Sequence, residues 1–239
     1  MAKITPMLEE IPERKIVVYK TLVDPTVVKI AGEKLKTKMF TRFLFMKPRP
    51  EEIQTVSVEK YYEPYFLVDG NYSIDYYRKR FYTFNVDRRV QEVILLEKTL
   101  TPDLPKKRSK MSYKSITLEG EERLLYENKA CLLLNEAGRE VNPRQVPSAP
   151  CEEHPKKVLK KFKENMKNVE AAPNKEIDVL SSKIVKKPSD VERVVKEQFQ
   201  VSERSVIYKP VYKLTFKNVR TDEVKTVKID GVTGRPILR

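Results

Sequence analysis

Residues 61–97 read YYEPYFLVDGNYSIDYYRKRFYTFNVDRRVQEVILLE. Aromatic and β-branched residues alternate with polar ones along most of this stretch, the spacing of half-buried strands. Asp69-Gly70-Asn71 is a hairpin signal, and Asp87-Arg88-Arg89 marks a second turn. The stretch therefore predicts an antiparallel meander of about four strands. It sets the class of the chain as α+β: antiparallel meanders with a few packed helices.

Upstream, IVVYKTLV at 16–23 predicts a strand. Asp24-Pro25 supplies an N-cap and a proline for the first helical position, so a helix over 25–39 follows. Its inner face is expected at Val27, Ile30, Ala31 and Leu35. TRFLFM at 41–46 is apolar without a decisive period, and Pro48 and Pro50 end it. Downstream, TPDLPKKRSK at 101–110 reads as a linker. SITLEG, RLLYEN and ACLLLNE predict short strands, with a turn at Glu136-Ala137-Gly138. Residues 155–168 predict a helix with Val158, Leu159, Phe162 and Met166 on one face and lysines on the rest. VEAAPNKE at 169–176 is a second linker. Ser189 and Glu192 form a capping-box pattern opening a helix over 189–199. Strands over 205–216 and 223–230 and a turn at Gly231–Gly234 close the chain. The domain organisation expected is an N-terminal module (1–100), a middle section (101–175) and a C-terminal helix-plus-hairpin module (176–239).

Four features recur in the same order near the two ends. Lys47-Pro48 and Lys187-Pro188 are each followed by acids, Glu51-Glu52 and Asp190-x-Glu192. Tyr62-Glu63-Pro64 and Tyr208-Lys209-Pro210 then open strands, which close on Val86-Asp87 and Ile229-Asp230 with Ile94 and Ile237 seven residues on. The order predicts an internal duplication. The last unit, VYKLTFKNVRTDEVKTVKIDGVTGRPIL, resembles PepSY-like modules over about thirty residues, through Asp230, Thr233, Gly234 and Ile237. Asp87-Arg88-Arg89-Val90 of the first unit lacks the Thr-Gly. The resemblance implies a small helix-on-sheet module used for binding or inhibition, and transfers no site residues.

Composition narrows the functional classes. The 239 residues carry 48 Lys+Arg against 34 Asp+Glu, a formal charge of +14, and 40 % are hydrophobic. That is enough apolar material for a core. Gln occurs only at 54, 91, 145, 198 and 200, the amide-poor, charge-rich balance of heat-adapted proteins. No apolar run is long enough to span a membrane, and MAKITPMLEEIPERK lacks a signal-peptide core. A cytoplasmic protein is expected. Six glycines form neither a P-loop nor a dinucleotide fingerprint. Cys151-x-x-His154 offers two zinc ligands where a structural site needs about four, and it lacks the context of a nucleophile pair. Asp103 with Glu223-Val224-Lys225 would serve a metal-dependent hydrolase, but such pairs abound in a chain this charged. No enzyme activity, cofactor or metal is expected.

A basic balance points instead to a polyanion. The excess is spread, at +7, +2 and +5 over residues 1–110, 111–175 and 176–239. Ten of the 21 aromatic residues lie between Tyr61 and Phe84 and flank the basic run Arg78-Lys79-Arg80, so local patches decide the site. Alternation sets Tyr72, Ile74 and Tyr76 on one face, and the more polar face is expected to show Tyr77 and Phe81 beside arginines, a platform for stacked bases. The candidate contacts are Tyr77, Arg78, Lys79, Arg80 and Phe81, then Lys156, Lys157, Lys160 and Lys161 of the basic helix. Lys106-Lys107-Arg108 and Lys110 form a further basic patch. The function expected is a non-catalytic adaptor that recognises RNA, DNA or a ribonucleoprotein surface. The alternative is a subunit of a multiprotein assembly that binds a protein partner through sheet edges and aromatics.

Overall fold

The computed structural model describes residues 7–8, 11–41, 48–104, 113–162 and 174–237. The stretch 42–46, most of the 101–110 linker with its basic patch, and the expected helix beyond residue 162 lie outside these. The fold is mixed, with strands predominating and three helices among the described residues. Three long strands, β3 (Ile53–Asp87), β6 (Tyr113–Asn135) and β7 (Arg193–Asn218), each run through both of the compact units into which the chain divides. One unit comprises residues 1–8, 72–128 and 185–199; the other comprises 9–71, 129–184 and 200–239.

In the larger unit, β7 changes partner along one edge. β2 (Lys15–Val18) pairs parallel with Ser205–Tyr208, and β8 (Val224–Asp230) pairs antiparallel with Val211–Lys217. Pro210 has no N–H to donate and stands between the last residue paired with β2 and the first paired with β8, so its missing donor costs no ladder bond. Proline therefore lies inside this strand rather than at its start. α1 (Pro25–Phe40) begins as its sequence dictates: Asp24 Oδ1 accepts from Thr26 N–H at 2.7 Å and Pro25 fills the first turn. Its buried stripe differs from the expected one. Val28, Gly32 and Phe40 face inward, while Val27 and Ile30 are exposed. Gly32 sets this rotation, because a Cβ there would collide with the Leu214 side chain. Val28 and Phe40 join Ile53, Tyr212, Leu214, Phe216 and Ile229 in one apolar cluster. α2 (Pro155–Lys161) lays Val158 and Leu159, with Phe162, on Val18, Tyr62, Val206 and Tyr208. α3 (Lys175–Ile184) buries Ile177, Leu180 and Ile184, in a segment whose first residues read as linker.

The hairpin expected at Asp69-Gly70-Asn71 is not formed, because β3 passes straight through it. Gly70 is there for proximity: a Cβ would collide with the Gln200 carbonyl oxygen and come within 2.9 Å of Leu180. Likewise the three short strands of the middle section are one strand, β6, ending at the expected turn, where Gly138 has φ 77°.

The smaller unit has no helix among its described residues. β1 (Met7–Leu8) pairs parallel with Gln198–Phe199 of β7. β3 lies between β7 and β6. Tyr72, Ile74 and Tyr76 are buried and Ser73, Asp75 and Tyr77 half-buried, the expected alternation. After the turn at 88–89, β4 (Val93–Leu95) and β5 (Lys98–Leu100) form a separate hairpin. The helix expected over 189–199 is replaced by a turn and the start of β7. Glu192 N–H donates to Tyr77 O, and Asp190 binds Arg78 instead of capping a helix. Val191, Val194 and Val195 suit this exchange, since β-branched side chains lose less in a strand than in a helix.

Candidate binding surfaces

On β3 the predicted residues Tyr77, Arg78, Lys79, Arg80 and Phe81 are consecutive in one extended strand, so they divide between its two faces. Arg78 and Arg80 fall on the side of Tyr76 and Tyr82, and Tyr77, Lys79 and Phe81 on the other. Arg78 is enclosed by acids. It contacts Glu122 at 2.8 Å and Asp190 at 3.0 Å. Glu122 also accepts from Tyr82 OH at 2.6 Å, and Asp190 from Tyr76 OH at 3.4 Å. These donors hold the Glu122 and Asp190 carboxyls below their usual range, and the two carboxylates in turn raise the Arg78 guanidinium.

The opposite face is a ladder of cross-strand ion pairs. Asp75 takes a two-pronged contact from Arg123, at 2.9 and 2.6 Å, which lowers its carboxyl. Lys79 lies between Glu192 (3.6 Å) and Glu119 (3.5 Å), whose fields raise its ammonium. Arg193 bonds Glu121 at 3.1 Å and stacks over the Tyr77 ring at 4.0 Å. The arginine beside Tyr77 thus comes from β7, a relation only the register reveals. Arg80 is exposed and forms no ion pair among the described residues, and Phe81 is 63 % exposed. The strip is close to charge-balanced, since almost every cation on it already faces a carboxylate.

α2 is different. Lys156, Lys157, Lys160 and Lys161 are all exposed, and none has an ion-pair partner among the described residues. The apolar side of the helix fixes them outward through Val158 and Leu159. Lys60 of β3 belongs to the same patch: its ammonium lies over the Tyr62 and Phe162 rings at 5.5 and 5.2 Å. Burial lowers its pKa, Glu152 opposes that, and Lys161 lowers it further. An ammonium that burial destabilises gains from a bound anion. Lys60 also lines an open cleft of about 1180 Å³ with Lys29, Asp24, Glu33, Thr55 and Tyr212.

Three further polar groups, Glu176 and Lys209 buried and Glu63 half-buried, are held by partners distant in sequence. Glu176 accepts from Arg204 at 2.7 Å and Arg14 at 2.6 Å. Glu63 collects Tyr61 and Tyr65 hydroxyls and Lys228. Lys209 is enclosed between Gln145 O and Asp230. The last sits as a single cation in the apolar run Val206–Tyr212, which is the one hint the sequence offers. Cys131 and Cys151 are free thiols on the surface, and the His154 carbonyl accepts from the first turn of α2. Asp103 bonds the Ser115 backbone, and Glu223 pairs with Lys225 at 3.3 Å. No group of three or more potential metal ligands occurs among the described residues. No helix among them is long and apolar enough to cross a membrane. No family model, curated protein or solved structure matches the chain.

Proposed function

We propose that the chain is a non-catalytic adaptor that recognises RNA, DNA or a ribonucleoprotein surface, with the patch of Lys60, Lys156, Lys157, Lys160 and Lys161 as its contact. One observation carries the reading: four exposed α2 lysines without ion-pair partners among the described residues, beside a Lys60 ammonium that burial destabilises and Glu152 only partly compensates. Phosphates would supply the missing countercharge, and aromatic rings at Tyr62 and Phe162 stand under Lys60. The β3 strip is the weaker candidate, because a phosphate there would have to displace a carboxylate from Arg78 or Lys79. The free thiols of Cys131 and Cys151 support a reducing, cytoplasmic setting. Both Tyr-x-Pro motifs lie inside long strands and open neither. Binding of a labelled single-stranded oligonucleotide tests the reading. Affinity should fall steeply with salt, with a slope of about −0.7 per phosphate neutralised. A flat salt dependence discards it.

A second reading, a subunit that binds a protein partner, is favoured by the β4–β5 hairpin. Ile94 and Leu96 are 73 % and 95 % exposed on it. The turn holds Leu96 and Glu97 at φ 46° and 63°, where glycine or asparagine is the usual choice. A costly turn that presents a leucine to water fits a docking tip. A partner retained through nuclease and high salt, and lost on Leu96→Asn, would support it; retention by Leu96→Asn would remove it.

A further inference from the structure

β6 is the last strand of its sheet, with β3 on its inner side. At its start Ser115 exchanges both backbone hydrogen bonds with Asp103, which lies outside. Backbone directions alternate along a strand, so Thr117, Glu119, Glu121, Arg123, Leu125 and Glu127 point their N–H and C=O groups to that same outer side. No strand among the described residues pairs with this edge between Thr117 and Asn128. Exposed edges are ordinarily blunted by proline, bulges, shortness or charged side chains, and here only the charges are present. Residues 117–128 contain no proline, and the run exceeds the usual strand of about 5–6 residues.

We propose that a second copy of this chain pairs with this edge, antiparallel, about a two-fold axis through Leu125. Charge selects both the occupant and the register. With Leu125 opposite the partner's Leu125, Arg123 faces the partner's Glu127 and Glu127 faces the partner's Arg123. On the other side of the sheet Leu124 meets the partner's Tyr126, and Glu122 meets the partner's Asn128. Glu127 is exposed and without an ion pair among the described residues, so the arrangement supplies what it lacks. Arg123, already held by Asp75 at 2.6 Å, becomes the centre of an Asp75–Arg123–Glu127 ladder. Neighbouring registers bring like charges together. Centring on Leu124 sets Glu121 against the partner's Glu127, and centring on Tyr126 sets Arg123 against the partner's Lys129. The contact is isologous and closes on itself, so it ends at a dimer. This goes beyond both functional readings and depends on neither.

Sedimentation of the full chain over micromolar concentrations should show a monomer–dimer equilibrium. Glu127→Arg should weaken the dimer by about tenfold or more, because two symmetric attractions become repulsions. Adding Arg123→Glu to it should restore pairing. In a Cys131→Ser, Cys151→Ser background, Leu125→Cys should crosslink to itself on oxidation. Directly opposed hydrogen-bonded residues have Cα atoms about 5.5 Å apart, within disulfide reach. A monomer throughout the range overturns the proposal, as does a dimer indifferent to Glu127→Arg or one in which Leu125→Cys fails to crosslink.

Discussion

Lys209 donates to Asp230 at 3.1 Å with both side chains almost excluded from water, 2 % and 9 % exposed. The ammonium also reaches Gln145 O at 2.6 Å and lies 5.3 Å from the Tyr65 ring centre. Asp230 in turn accepts from Val232 and Thr233 N–H, so one carboxylate joins the strand end to the final turn. Removing one member leaves an uncompensated buried charge, which costs about 3–5 kcal/mol. Lys209→Met should therefore lower the urea midpoint strongly, and Lys209→Met with Asp230→Asn should recover part of the loss. Full additivity of the two would show that they are not coupled.

Gly70 separates two explanations of one glycine. As the tip of a hairpin it would sit at positive φ, where asparagine replaces glycine with little loss. In β3 its Cα is pressed against the Gln200 carbonyl, and a methyl group has no room. Gly70→Ala should cost about 1–3 kcal/mol as an overpacked site. Gly120→Ala is the control: its nearest neighbour is the half-exposed Tyr82 ring at 3.1 Å, which can move aside. Equal thermal shifts for the two variants would count against the close approach.

The same glycine shows where sequence reading stops. Local chemistry was legible: Asp24-Pro25 starts α1, Asp87–Arg89 turns the chain, and Asp230 organises the last turn. Gly70 resembles a turn residue because the Gln200 backbone that explains it lies 130 positions away in the chain. The 189–199 segment has a helix-start pattern, but β3 offers Tyr77 O as a partner for Glu192 and Arg78 as one for Asp190. α3 did carry a helical signal, Ile177, Leu180 and Ile184 at i, i+3 and i+7, obscured by the proline-containing stretch before it. Among the candidate contacts, the lysine face of α2 follows from 3.6-residue periodicity alone. The neutralisation of Arg78 and Lys79 does not, because cross-strand partners are set by register.

Glu176 should govern part of the acid limb of stability. Burial pushes its carboxyl up, but hydrogen bonds from Arg204 and Arg14 outweigh this, and its pKa lies below the ordinary 4.5. A carboxyl depressed in the folded state stabilises fully above its unfolded pKa and loses that contribution as pH falls through the folded value. Glu176→Gln should therefore be markedly less stable at pH 7. The gap to the parent chain should narrow below about pH 4.5. A gap unchanged down to pH 3 would mean that the Glu176 charge is not what the arginines hold.

The lysines of α2 and the cations of β3 should part company in nucleic-acid binding. Lys156→Glu with Lys160→Glu alters exposed side chains that pair with no acid among the described residues, so folding should be untouched. Affinity for a single-stranded oligonucleotide should nevertheless drop at least about tenfold, and the salt slope should shrink by roughly one to two. Arg78→Ala with Lys79→Ala removes cations already answered by Glu122, Asp190, Glu119 and Glu192. That pair should leave the slope nearly unchanged and instead lower the melting temperature, since four carboxylates lose their counterions. The reverse pattern, with slope lost at β3 and kept at α2, would move the polyanion to the strand and require it to displace those acids.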